Sequence, residues 1–306
     1  MNRLFIAPER QNEWNLLAVM NFFLGGTAAG FYFLHWLNLN LAATRAIPSS
    51  LKLIAPALVG MGFLGLLFEA GRPLRGFYAF KKIRSSWMSK ELFFGILFIM
   101  AAVYDFLYPD VLVRTTGAVS ALLFAFSQSM VLYKARGISG WNMPLLPLLI
   151  FNCSIVKGAG LMLLIYGMDL LRPAGPVLWI IFISFISDFL FWFLYLGYLN
   201  EEFRESVKAL RRFGSMLLVL GAGHVIPVLI ISALLLKKGG YEHYAFIAGI
   251  LALSGALAGD AGILLRAGAY RAIRAGEPKS ILVESGEESK CRIIPIESAK
   301  RKSISK

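Results

Sequence analysis

Eight runs of predominantly apolar residues divide this chain, and each is about the 20 residues that a helix needs to cross the hydrocarbon layer of a bilayer. They cover roughly 17–41, 51–69, 90–108, 111–133, 144–168, 176–199, 213–236 and 243–265. Hydrocarbon offers a backbone no hydrogen-bond partners, so such runs must be helices or the strands of a closed barrel. Barrel strands are short and alternate in polarity, and these runs do neither. The composition agrees: 58% of the 306 residues are hydrophobic and 16% are charged, where a soluble domain carries about 25% charged residues. The expected fold is an all-α integral membrane bundle of eight transmembrane helices over 1–270, followed by a flexible basic tail over 271–306. The first run is too long for the apolar core of a cleavable signal.

The net charge of +13 is distributed unevenly. With eight alternating spans, 24 of the 31 Lys and Arg fall on the side that holds both termini, six fall on the other, and Lys157 lies inside a span. The positive-inside rule then places both termini in the cytoplasm and the chain in the inner (cytoplasmic) membrane. Cations beside membrane helices match anionic lipid, so lipid rather than nucleic acid is the expected partner of this charge. Two cysteines, Cys153 and Cys291, are too few for a structural zinc site or an iron–sulfur cluster. His35, His224 and His243 do not share one depth as paired haem ligands would, so neither a metal site nor a haem is expected.

Within the first run, Phe22 to Gly30 reads FFLGGTAAG, and Gly26 and Gly30 form a G-x-x-x-G pair. That spacing strips side chains from one helix face and lets a second backbone approach. Polar side chains in spans are costly, and they are either glue between helices or function. Asn21 lies one turn into the first run, Glu69 ends the second, and Ser127, Gln128 and Ser129 lie near the end of the fourth. Alternation brings all of them to similar depth on the terminal side. Such a cluster can hydrogen-bond both oxygens of a quinone head group, with a carboxylate to exchange protons. Asn21 and Glu69 are the candidate catalytic residues; Arg72, Ser127 and Gln128 join them as candidate binding residues. Lys157 and Asp188 lie near the midplane of spans five and six, and an ion pair between them is expected, as either a structural lock or a proton relay. Asp260, near the end of span eight, can join the first cluster. His224, three residues before Pro227, is expected to be hydrogen-bonded at a kink.

Several of these stretches together resemble a known family. Trp14 precedes the FLGGTAAG run; EAGRP follows from Glu69 to Pro73, then RSSWMS from Arg84, then WNMPLLPLL from Trp141, GAGHVIP from Gly221 and RAG from Arg266. In this order, over 14–270, they resemble the NrfD and polysulfide reductase type of quinone-reactive membrane subunit. The resemblance implies an eight-helix subunit without a redox centre of its own. Such a subunit works only within a complex and passes electrons between an exchangeable menaquinone or ubiquinone and a docked iron–sulfur subunit of the four-cluster ferredoxin type. Behind that subunit it implies a molybdopterin or multihaem catalytic subunit. It also implies a quinone site among the first four helices, at Asn21 and Glu69. Three positions depart from the family pattern: Ser127 stands where the family commonly has tyrosine, Lys157 where it has a small residue and Ala261 where it has arginine. The alternative is an anchor of the same complex that has lost redox chemistry or conducts protons through Glu69, Lys157, Asp188 and Asp260.

Overall fold

The computed structural model describes residues 4–6, 14–41, 49–69, 83–135, 137–138, 140–198, 203, 207–236, 242–267 and 273–274. Within the unit Glu9–Arg271 the helices are α1 (Leu16–Leu41), α2 (Ile54–Glu69, entered through a 3₁₀ turn at Ser49–Leu53), α3 (Trp87–Leu107), α4 (Val111–Lys134), α5 (Leu146–Gly167) and α6 (Gly175–Gly197). Two more follow: α7 (Phe213–Leu235) and α8 (Glu242–Ala261), which continues as a π-helical turn over Gly262–Arg266. Seven of these helices are long and apolar enough to cross a membrane. The chain is an all-α, multi-pass membrane bundle. α3 has the length of a span but carries Lys90, Glu91 and Asp105. A separate unit, Met1–Pro8 with Ala272–Lys306, contains a short antiparallel pairing of Leu4–Ile6 with Ile273–Arg274.

Local sequence explains where several helices begin. Ser86 caps α3 by accepting from the Ser89 N–H, and Asp110 caps α4 by accepting from Val113 N–H. α5 and α6 carry Pro147 and Pro176 in their first turn, where a missing N–H costs nothing. The α6 start is also held by Asn38, whose Oδ1 accepts from Ala174 N–H at 2.7 Å.

α1 is the central helix, packed against α2, α4 and α5 and reaching α6 and α8. Its small residues make this possible. A Cβ on Gly30 would lie 2.0 Å from Ser154 O, and one on Gly158 would lie 2.0 Å from the Gly30 carbonyl carbon. The expected close approach of the G-x-x-x-G face is therefore an α1–α5 crossing. Large side chains such as Leu64, Phe68, Met100, Leu112, Ile183 and Phe193 point outward, as lipid-facing residues do.

The interior has two apolar cores. One contains Ala28–Leu34 of α1, Phe124 of α4, Val156–Leu163 of α5, Phe185 of α6 and Ile231 of α7. The other contains Ala18–Phe22 of α1, Leu132 of α4, Leu149 and Ile150 of α5, Trp192 of α6, Leu220 of α7 and Ile263 of α8. In α4 to α8 a polar residue stands where the helix passes from one core to the other: Gln128, Asn152, Asp188, His224 and Asp260. A polar layer thus runs through the bundle between two apolar ones.

Candidate functional site

Glu91 is the centre of that layer in the first four helices. With Ser86 as cap, it is the fifth residue of α3, and it is buried. Its Oε1 accepts from Asn21 Nδ2 at 2.9 Å and from Gln128 Nε2 at 3.2 Å, so α1, α3 and α4 meet at one carboxyl oxygen. Gln128 Nε2 also donates to Asn21 O at 3.3 Å. Two acceptor atoms of this cluster, Asn21 Oδ1 and Gln128 Oε1, are buried and have no hydrogen-bond partner among the described residues. Buried polar atoms are almost always satisfied, so these two oxygens have the capacity to accept from further donors. α2 closes the cluster from a fourth side, where a Cβ on Gly62 would come 2.9 Å from Asn21 Oδ1.

The glycine run of α1 builds this arrangement. A helical Cβ leans toward the N-terminus and flanks the carbonyl one turn back. Gly25 and Gly26 leave the carbonyls of Asn21 and Phe22 bare, and each receives a second donor. Gln128 Nε2 reaches the first, and Lys157 Nζ reaches the second at 3.0 Å. A Cβ on Gly25 would lie 2.8 Å from Gln128 Nε2, and one on Gly26 would lie 2.6 Å from Lys157 Nζ. The next residue, Thr27, supplies its own donor to Phe23 O.

Lys157 connects this cluster to a second one. Its ammonium is wholly buried and lies 2.8 Å from Asp260 Oδ2. The expected Lys157–Asp188 pair is therefore replaced by Lys157–Asp260. Asp188 bonds instead to His224 Nε2 at 2.9 Å and to Asn152 Nδ2 at 3.1 Å. The physical reason is lateral: α5 packs directly on α8, and the Gly26 gap draws the lysine toward α1. Asp260 meets the first cluster through Lys157, and its Oδ1 is buried with no hydrogen-bond partner among the described residues. The kink expected at His224 is a π-helical segment, Leu217–Val225.

Four carboxyls are buried among the described residues: Glu91, Asp105, Asp188 and Asp260. Asp105 faces Arg114 at 2.9 Å and Lys52 at 3.7 Å, Asp188 faces His224, and Asp260 faces Lys157. Glu91 faces two amides and, among the described residues, no cation.

The other expected site residues separate. Ser127 is buried but takes no part in the Glu91 hydrogen bonds, and Ser129 donates to Phe126 O within its own helix. Glu69 ends α2, but its side chain lies outside the described residues, as does Arg72. Glu91 lies within the expected 90–108 span but is not among the candidate residues. The signal that could have found it is Ser86, a cap that starts the helix at Trp87 and places Glu91 a full turn inside it. Trp141, heading the WNMPLLPLL stretch, is a packing residue: its Nε1 donates to Ile263 O at 2.8 Å, and its ring lies 5.4 Å from that of Trp14. Among the described residues no group of three or more His, Cys, Asp or Glu could hold a metal ion.

The family model of the DMSO reductase anchor subunit (DmsC) matches residues 10–207, about two thirds of the chain. The chain belongs to the DMSO reductase anchor subunit family. No curated protein matches it at a significant level. Anchor subunits of this family are the membrane part of a multi-subunit oxidoreductase and associate with its catalytic and iron–sulfur subunits. The matched segment contains α1 to α6, hence Asn21, Glu91, Gln128, Lys157 and Asp188. His224 and Asp260 lie beyond it.

Proposed function

We propose that this anchor subunit oxidises or reduces a quinone of the membrane pool, in the manner of NrfD-type subunits, at the Asn21–Glu91–Gln128 cluster. The observation that supports the reading is a pair of buried amide oxygens without a partner among the described residues, beside a buried carboxyl that faces no cation among them. A menaquinol or ubiquinol fits this acceptor set: the two amide oxygens accept hydrogen bonds from the ring hydroxyls, and Glu91 lies within the same cluster to take their two protons in turn. When bound, the quinol would supply two electrons for a docked iron–sulfur subunit of the ferredoxin type, which leads on to a molybdopterin or multihaem catalytic subunit.

The residues of this chain have separate tasks. Asn21 and Gln128 orient the ring hydroxyls, and both are held by the carboxyl they share. Gly25 and Gly62 keep the space around the two amides open to that geometry. Glu91 holds or releases a proton at Oε1 or Oε2, general acid–base work worth about 10²–10⁴ in rate. The two apolar cores keep the layer dry from both ends.

Glu91→Gln is the decisive substitution because it keeps the shape and an acceptor oxygen for Asn21 and Gln128. In the assembled complex, quinol-dependent turnover is expected to fall about 100-fold or more, while assembly and turnover with an artificial electron donor stay unchanged. Undiminished quinol turnover in this variant sinks the reading, because quinol is then oxidised without Glu91.

A further inference from the structure

We infer that the Asp188–His224 dyad, buried where α5, α6 and α7 meet, is a proton-binding site that holds one extra proton in the resting protein. The argument is a count of hydrogens. His224 Nδ1 lies 2.7 Å from Val219 O. A carbonyl oxygen only accepts, so the hydrogen of this bond belongs to Nδ1. A neutral imidazole has just that one N–H. Yet Nε2 lies 2.9 Å from Asp188 Oδ2, and two bare lone pairs at that distance repel. A second hydrogen therefore sits between them, on Nε2 as imidazolium facing carboxylate, or on Oδ2 as carboxylic acid facing neutral imidazole. Both descriptions contain the same extra proton, and both leave the pair with no net charge.

The surroundings leave no other source of compensation among the described residues. Asn152 on α5 donates to Asp188 Oδ1, which fills the second carboxyl oxygen with a neutral group. Phe185 and Phe189 of α6 cover the imidazole with ring centroids 6.0 and 6.4 Å away. Cys153 and Lys157 of α5 and Asp260 of α8 lie within electrostatic reach of Asp188. The ammonium of Lys157 is already bonded to Asp260 Oδ2 and Phe22 O. Without the extra proton, Asp188 would be an uncompensated charge inside a span, which is expensive. The π-helical turn of α7 belongs to this site: Ile226 N–H bonds back five residues to Gly221 O, and the imidazole of His224 reaches a carbonyl five residues back in the same register. Gly223 and Gly255 bring α7 and α8 together beside it, a Cβ on Gly255 coming 2.4 Å from Gly223 Cα.

Occupancy of this site sets the field felt by the Lys157–Asp260 pair, and through Lys157 it touches the Phe22 carbonyl next to Asn21. The assignment itself does not depend on the quinone reading. Its test uses the native protein in lipid nanodiscs, with ¹⁵N-histidine and carboxyl-¹³C-aspartate labels, at about pH 7.5, where an exposed imidazole with its ordinary value near 6.5 is about one-tenth protonated. The chain has three histidines, and Asp188→Asn serves to assign the signals. Either both nitrogens of His224 carry hydrogen, or His224 is the Nδ1–H form and the Asp188 carboxyl is protonated. A neutral His224 beside an ionised Asp188 overturns the inference.

Discussion

At the scale of single residues, the bundle is governed by what two adjacent glycines leave out. Gly25 and Gly26 differ by one position, about 100° around the helix, and so they serve different neighbours. Gly25 makes room for Gln128, which belongs to the Glu91 cluster; Gly26 makes room for Lys157, which belongs to the α5–α8 pair. Alanine at each should therefore give different phenotypes. Gly25→Ala displaces the Gln128 amide from Asn21 O and from Glu91, and is expected to impair quinol turnover, with KM raised, while thermal stability in detergent changes little. Gly26→Ala presses on the Lys157 ammonium, a buried charge bonded to Phe22 O and Asp260, and is expected to lower stability by about 1–3 kcal/mol, the usual cost of overpacking. Equal effects of both variants on turnover and on stability would show that the two gaps act as one.

At the scale of elements, the contact of α5 with α8 rests on a wholly buried ion pair. Removing one member of such a pair costs about 3–5 kcal/mol, whereas replacing both by apolar groups is often neutral. Lys157→Met strands Asp260, not Asp188, because Asp260 Oδ2 is the atom 2.8 Å from the ammonium. Low yield and early melting are expected for Lys157→Met, with recovery in the double variant Lys157→Met/Asp260→Leu and none in Lys157→Met/Asp188→Asn. Rescue by the second double variant instead of the first would contradict the observed pairing. The α1–α5 crossing has no such compensation available. Ser154 O stands where a Gly30 Cβ would be, so even a methyl group there must push the two backbones apart.

At the scale of the whole molecule, the polar layer lies nearer the end of the bundle where α1 begins, and that end is the positively flanked one. If the charge bias decides orientation, both termini and the Glu91 cluster lie toward the cytoplasm. Fluorescent-protein and alkaline-phosphatase fusions after residue 306 and between α1 and α2 test this. Fluorescence from the first and phosphatase activity from the second are expected. The reverse pattern would place the cluster on the outer side, showing that a docked partner rather than loop charge sets the topology.

The eight helices were legible because hydrophobic length is a local property, and their ends matched the apolar runs closely, α1 at Leu16–Leu41 against an expected 17–41. The depth of Asn21 and Gln128 was legible for the same reason: alternation and a constant rise per residue translate position in a span into height. What stayed hidden was the angle around each helix. Glu91 lies at the right height, inside the expected 90–108 span, but nothing in its own helix sets it apart, and Ser127 lies beside Gln128 at the right height but takes no part in the Glu91 bonds. By depth alone Lys157 pairs with Asp188, and Asp260 lies nearer the end of its span; lateral packing of α5 on α8 pairs Lys157 with Asp260 instead. Sequence alone determined that this chain is a membrane bundle with polar groups at one level, since burial in lipid forbids any other use of such runs. Which of those groups touch was decided by the tertiary structure, because contact depends on how glycine gaps let helices rotate and approach, and no single helix contains that information.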